Sequence, residues 1–426
     1  MATQIIAPVK KFQGSPLIPG DKSVSHRALI FGALAKGVTK VSNLLKSEDV
    51  LSTRKCLEAS GVKISDRGKD IVVIGLGGFN FTESRGALDC GNSGTTMRLM
   101  MGVLAGQEIN SLLFGDASLS RRPMKRVADP LRVMGASIDL HSDNFAPVKI
   151  SGTRLSGINY DLKIASAQIK TAILLAGLNA SGKTTISGEI HSRDHTERML
   201  NHFGVNLSSN HEFVSIVGGQ KLIARDVDVP SDPSTAAFWL AASSLVTGGA
   251  VEMKNISLNE SRTGFMRVLK KMNGILESRV TIESPEPMGI VTAKCAQLRG
   301  CKITREEIPS LIDEIPLIAV LATQAEGETI VEGAEELRVK ESDRLSAVAI
   351  NLRAMGVEIT ERPDGFLIRG PQKLKGCVLD SFHDHRIAMA FSIAALVAEG
   401  DTSIKNSECV DISYPNFYED LRQLTQ

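Results

Sequence analysis

Six times along the chain, an Ala/Leu-rich run of helical length gives way to a glycine and then to alternating apolar and polar positions. The copies span residues 28–45 (Gly37), 97–114 (Gly106), 171–190 (Gly182), 236–256 (Gly248 and Gly249), 317–333 (Gly327) and 388–404 (Gly400). Each predicts a helix, a left-handed glycine C-cap and a strand. A second pattern lies between the copies: an amphipathic helix ending in glycine, then two strands joined by a turn. It covers 57–75, 131–152, 200–219, 269–282 and 352–370, and is clearest where Leu352 opens the run LRAMGVEI. The sixth copy stops at its helix, 418–424. The N-terminal segment 4–12 can supply one of its missing strands, which would bring both chain ends into one domain.

The copies begin about 70 residues apart, so six units fill the 426 residues. Each unit reads β-α-β-α-β-β or a permutation of it. A unit this small cannot bury its own apolar faces and must pack against others. The expectation is two α/β domains of three units each, dividing near 227–230, where Pro230 and Pro233 punctuate the chain. The predicted bounds are 1–20 with 229–426 for one domain and 21–228 for the other. No low-complexity linker separates the halves, which predicts a hinged cleft.

Composition narrows the function. A net charge of +1, from 49 Lys+Arg against 48 Asp+Glu, and 4% aromatic residues speak against a nucleic-acid binder. Any basic site must be local. The six cysteines form no CxxC or Cys/His ligand spacing, so neither zinc nor a disulfide framework is expected. No apolar run has the length of a membrane span or a signal peptide, and the chain reads as cytoplasmic.

Polar clusters stand at the N-termini of the repeated helices. Residues 20–28 (GDKSVSHRA) place Lys22 and Arg27 there, with Ser23 or Ser25 as the cap: a capped helix or an anion site. Residues 89–98 (DCGNSGTTMR) offer two glycines for close backbone approach, and Arg98: an anion loop or a turn with a Thr cap. Arg122 precedes a helix that Pro123 can begin. Ser166 and Gln168, in ASAQ, can bond a polyol, or Ser166 can simply cap. Arg193, in RDHTE, suits a second phosphate. Residues 177–184 (GLNASGKT) match the phosphate-loop pattern by letter. Here, however, a helix is expected before and a strand after, the reverse of that motif, and nucleotide binding is rejected.

In the second half, Asp313 lies in the mostly apolar run PSLIDEIP: a helix cap, or a carboxylate whose pKa burial would raise for base work. Residues 338–345 (RVKESDRL) put Lys340 and Arg344 four apart, on one helical face, with Glu341 between them: a solvated helix start or half of an anion site. His385 and Arg386 open the last repeated helix. What weighs for a site is registry, because the clusters recur at the same place in the repeat. Helix dipoles from both domains, with the clustered cations, would then aim at one cleft suited to anions.

Together, residues 20–28, 91–98, 338–345 and 384–389 closely resemble the 3-phosphoshikimate 1-carboxyvinyltransferase (EPSP synthase) family, in order along the whole chain. The resemblance implies two "inside-out" α/β domains of three repeats with a cleft between them. It implies transfer of the enolpyruvyl group of phosphoenolpyruvate to the 5-hydroxyl of shikimate 3-phosphate. The enzyme would be a monomer needing neither metal nor organic cofactor. Carried over by motif, shikimate 3-phosphate would meet Lys22, Ser23, Arg27, Ser166, Ala167, Gln168, Arg193, Asp313 and Lys340. Phosphoenolpyruvate would meet Lys22, Gly94, Arg122, Gln168, Arg344 and Arg386. Lys22, Asp313 and Glu341 would be catalytic, with Asp313 taking the hydroxyl proton and Glu341 moving the methylene proton.

The chain departs from the family pattern at three places. Ala167 stands for a second Ser, Asp411 for a Lys, and Leu99 for a Pro. With SRDHTE, these resemble the class that tolerates the herbicide glyphosate, although Gly94 is retained. Two rival readings fail on particular residues. Members of the sister transferase group acting on UDP-N-acetylglucosamine resemble Lys-Asn-Ala near the N-terminus and usually carry a Cys in an Arg-flanked loop, neither of which this chain has. A non-catalytic anion-binding scaffold would not need both Asp313 and Glu341.

Overall fold

The six Ala/Leu-rich runs are helices buried on nearly every side, as expected of helices with no polar face to offer solvent. In the computed structural model, which describes residues 2–426, they are Lys22–Leu34, Gly94–Leu104, Ala167–Asn179, Pro233–Leu245, Ile315–Gln324 and His385–Ala395. The chain divides into two compact units, one Gly20–Val229, the other the residues up to Pro19 with Pro230–Gln426. Each holds three of these helices at its centre and has its own apolar core. Small residues permit close approach between them. A Cβ on Gly102 would stand 2.4 Å from the Ala172 carbonyl oxygen on the neighbouring buried helix.

Both unit boundaries lie one residue from those expected. Val229 continues the strand Val227–Asp228, its N–H donating to Ser42 O at 3.0 Å. Gly20 packs so tightly on Asn43 that a Cβ would lie 2.1 Å from its carbonyl oxygen.

Sheets surround the helices, three to a unit. Their alternating strands turn one face inward, as in Asn110–Phe114, where Ser111 and Leu113 are buried between exposed neighbours. The order recurs. A short strand runs parallel to the strand after the buried helix, which pairs antiparallel with a third, and that with a fourth. Leu88–Asp89, Asn110–Phe114, Phe145–Ser151 and Ser137–His141 form one such sheet. The chain closes the pattern by permutation. Val227–Asp228 leads the sheet of Lys36–Ser42, and Gln13–Gly14 leads that of Ala250–Ser257. The sixth sheet lacks its own hairpin, and Thr3–Ile6 pairs antiparallel with Thr402–Lys405 in its place.

The repeat glycines do not cap the helices. Lys22–Leu34, Ala167–Asn179, Pro233–Leu245 and Ile315–Gln324 end on extended residues, Ala35, Ala180, Val246 and Ala325. The left-handed glycine comes two residues later: Gly37 (φ +120°), Gly182 (+86°), Gly248 (+72°) and Gly327 (+94°). The positive φ that the sequence pattern foretells is real, but it serves the turn into the strand. In the remaining two copies Gly400 is also left-handed (+90°), and Gly106 is not among the positive-φ residues.

Candidate active site

In the unit Gly20–Val229, the three buried helices begin with side-chain caps. Asp21, not Ser23 or Ser25, caps the first, accepting from Val24 N at 2.9 Å. Ser23 and Ser25 lie inside the helix, and Ser25 Oγ accepts from Leu45 N at 3.0 Å. Ser93, rather than a Thr, caps the second and Ser166 the third. The capping reading of Ser166 is therefore realised, and its hydroxyl stands at the helix entrance beside Ala167 and Gln168.

Cations gather at these ends. Lys22 Nζ pairs with Asp49 Oδ2 at 3.0 Å. Arg27 is buried, donating through Nε to Thr196 Oγ1, through Nη2 to Thr171 Oγ1 (both 2.8 Å) and through Nη1 to Ser23 O (2.9 Å). Arg122 Nη2 donates to Asn92 Oδ1 at 2.7 Å, and Arg98 Nη1 to Gln168 Oε1 at 2.5 Å. Gln168 Nε2 reaches Thr95 Oγ1 at 2.9 Å, which joins the second and third helix ends. Gly94 lies under two guanidiniums: a Cβ there would stand 3.2 Å from Arg98 Nη1 and 3.5 Å from Arg122 Nη1. Arg193 Nη1 reaches Ser23 Oγ at 3.4 Å. So Ser23, Arg27 and Arg193 are linked directly or through shared partners, with Lys22 next to Ser23 in the chain and paired to Asp49, and Gly94, Arg122 and Gln168 are linked through Arg98. Beneath them His26 is buried, its Nδ1 2.7 Å from Thr53 Oγ1, which in turn lies 2.7 Å from Thr96 Oγ1. Burial, then the charges of Lys22 and Arg27, pushes His26 well below the usual histidine range and keeps it neutral.

In the other unit, Arg344 organises the acids. Its side chain is 2% exposed. Nε donates to Asp384 Oδ2 at 2.8 Å, Nη1 to Asp313 Oδ1 at 3.1 Å, and Nη2 to Glu341 Oε2 at 2.7 Å. Burial opposes its charge, but Asp384, Glu341 and Asp313 together hold its pKa above the ordinary arginine range. Asp313 lies in the 3-10 turn Ile312–Glu314, and no side chain caps the helix that follows. Its carboxylate is spent on Arg344 instead. The adjacent Glu314 points to the other cation: Arg386 Nη1 lies 3.8 Å from its Oε1 and 3.3 Å from Ser234 O. Burial raises Glu314 above the usual carboxylate range.

The run 338–345 corrects one expectation. Asp343 caps the helix Arg344–Ala354, accepting from Ser346 N at 3.1 Å and pairing with Arg338 at 2.9 Å. Lys340 therefore precedes the helix, in extended backbone (φ −82°, ψ −152°), and shares no helical face with Arg344. Residues 177–184 join the helix Ala167–Asn179 to the strand Lys183–Gly188, with Lys183 exposed, the reverse of a phosphate loop. Asp411 is exposed in the 3-10 segment Ser407–Ile412. No group of three His, Cys, Asp or Glu among the described residues is placed to hold a metal ion.

Sequence reasoning missed the partners that hold these side chains: Asp49, Asp384, Glu314 and the threonines at 53, 96, 171 and 196. Asp384 stands in the N-cap position of HDHRIAMA, accepting from Arg386 N at 2.9 Å, and capping logic alone would have found it. The others meet their partners across long sequence separations and left no local signal.

Comparisons with known proteins place the chain in a family. Residues 6–421 match the family described as EPSP synthase (3-phosphoshikimate 1-carboxyvinyltransferase). A Bacillus cytotoxicus protein of that name is 48% identical over 417 residues, 97% of this chain and 98% of that one. The Bacillus subtilis protein of the same name is 47% identical over 421 residues, 98% of each. Among solved structures, EPSP synthase from Acinetobacter baumannii superposes with a TM-score of 0.88 at 41% identity, covering 99% of this chain and 98% of that one. An enolpyruvyl transferase from Streptomyces tendae shares the fold, with a TM-score of 0.77 at 19% identity over 99% and 96% of the two chains. The chain belongs to the EPSP synthase (3-phosphoshikimate 1-carboxyvinyltransferase) family.

Proposed function

We propose that this chain transfers the enolpyruvyl group of phosphoenolpyruvate to the 5-hydroxyl of shikimate 3-phosphate and releases phosphate, a step of aromatic amino acid biosynthesis. The reaction is an addition and an elimination. The hydroxyl oxygen adds to C2 of phosphoenolpyruvate and loses its proton, while a proton joins C3. Phosphate then leaves C2 and C3 gives up a proton, restoring the double bond. Both substrates are anions, so cations must bind them, and two proton carriers must flank the tetrahedral intermediate.

Lys22, Ser23, Arg27, Arg193, Ser166, Gln168 and Lys340 would hold shikimate 3-phosphate, with Ala167 contributing backbone only. Lys22, Arg122, Gln168, Arg344 and Arg386 would hold phosphoenolpyruvate, with Gly94 leaving room for it. Asp313 would accept the hydroxyl proton and Glu341 would deliver and recover the methylene proton. The observation that supports this assignment most is that one buried guanidinium, Arg344, binds both Asp313 and Glu341. An anion arriving on Arg344 would compete with Glu341 and free its carboxylate for proton transfer. The enzyme would act as a monomer in the cytoplasm.

Phosphate release from phosphoenolpyruvate tests the reaction. It should require shikimate 3-phosphate and should not be supported by UDP-N-acetylglucosamine. Release that needs no acceptor, or that prefers the nucleotide sugar, would overturn the assignment.

A further inference from the structure

A buried ion pair lies beneath the segment that carries Arg193. Lys170 is on the helix Ala167–Asn179, two residues beyond Gln168, and is 2% exposed. Its ammonium meets Glu197 Oε1 at 2.6 Å, Ile190 O at 3.2 Å and Ser192 O at 3.4 Å. An ammonium has three protons to donate, and here three acceptors take them. Two of these acceptors are backbone carbonyls just before Arg193, and the third is a carboxylate just after it. One side chain thus ties both flanks of Arg193 to a buried helix. Thr196 adds a second tie to the same helix, its Oγ1 2.6 Å from Thr171 Oγ1 and accepting from Arg27 Nε.

Such a pair is a poor device for stability alone. Removing two charges from water is costly, and packed apolar residues in their place are often as stable or more so. Glu197 Oε2 is buried with no hydrogen-bond partner among the described residues, so the carboxylate is not even fully satisfied. What an apolar pair would lack is direction: three oriented bonds that fix where the segment 190–197 runs, and hence where Arg193 reaches Ser23 Oγ.

We infer that Lys170 and Glu197 are positioning residues for Arg193, and that through it they set the affinity for the phosphate of the acceptor substrate. The inference rests on the reading of Arg193 as a ligand of shikimate 3-phosphate. Neither Lys170 nor Glu197 needs to touch substrate.

Steady-state kinetics on the full chain with Lys170→Met, Arg193→Ala and the double variant separate the possibilities. Lys170→Met should raise KM for shikimate 3-phosphate about tenfold to hundredfold while leaving kcat and KM for phosphoenolpyruvate within about threefold. In the Arg193→Ala background, Lys170→Met should change KM for shikimate 3-phosphate by no more than about twofold, because the group it acts through is gone. Glu197→Gln keeps an oxygen for the ammonium and should show the same selective effect more mildly, so it carries the test if Lys170→Met does not fold. An unchanged KM for shikimate 3-phosphate in the Lys170 and Glu197 variants, with Arg193→Ala raising it, would overturn the inference. So would effects that multiply in the double variant, the mark of a merely structural role. An unchanged KM in Arg193→Ala would overturn the reading of Arg193 itself, and the inference with it.

Discussion

Asp384 performs two tasks with one carboxylate, capping the last buried helix and holding Arg344. Both groups of the ion pair are buried, so deleting one leaves the other charge uncompensated. Asp384→Ala should therefore cost about 3–5 kcal/mol of stability, measurable by urea unfolding, and should lower turnover as Arg344 loses its anchor. Gly94→Ala would press a methyl against Arg98 and Arg122. It should weaken glyphosate inhibition more than phosphoenolpyruvate use; equal losses in steady-state kinetics would count against this. His26 supplies a pH signature. Its folded pKa is depressed by burial, so above the unfolded value of roughly 6.5 both states are neutral and it imposes no penalty. As pH falls below that value the unfolded chain takes up a proton that the folded chain refuses, and stability drops by about 1.4 kcal/mol per pH unit. The urea midpoint of the parent should fall more steeply than that of His26→Gln between pH 7 and 5.5; parallel slopes would show that His26 is not held neutral. Of these features, the sequence showed the glycine and the clustered cations. The pairing of Arg344 with Asp313 and Asp384 stayed hidden, because those partners lie 31 and 40 positions away.

The elements were legible wherever periodicity is strong. An Ala/Leu-rich run of helical length with no polar stripe reads as a buried helix, and strict alternation reads as a half-covered strand. Fine placement was less legible. Lys340 and Arg344 have helical spacing, but Asp343 captures the cap and starts the helix after Lys340. The leading strands, such as Leu88–Asp89, are too short to leave a pattern. Close helix contact does leave one, a glycine within an apolar helix. Gly102→Ala should destabilise the protein by about 1–3 kcal/mol through overpacking against Ala172, lowering the thermal midpoint without changing either KM. A KM change would mean that this contact also positions Arg98, one helical turn away.

Across the whole chain, the sixfold period predicted two domains of three repeats each, and the missing strands of the sixth repeat pointed to the N-terminus. The strand Thr3–Ile6 fills that place against Thr402–Lys405. Less visible were the swaps by which Val227–Asp228 and Gln13–Gly14 lead sheets far from them in sequence, because two-residue strands carry no periodicity. In the proposed reaction, turnover would depend on the two carboxylates that Arg344 gathers, Asp313 and Glu341, and Asp313→Ala tests that dependence most directly. With substrate binding followed separately, kcat should fall about 10²–10⁴-fold while both dissociation constants stay within about tenfold. Turnover within a few-fold of the parent, or a loss confined to binding, would contradict the role of Asp313 as the base.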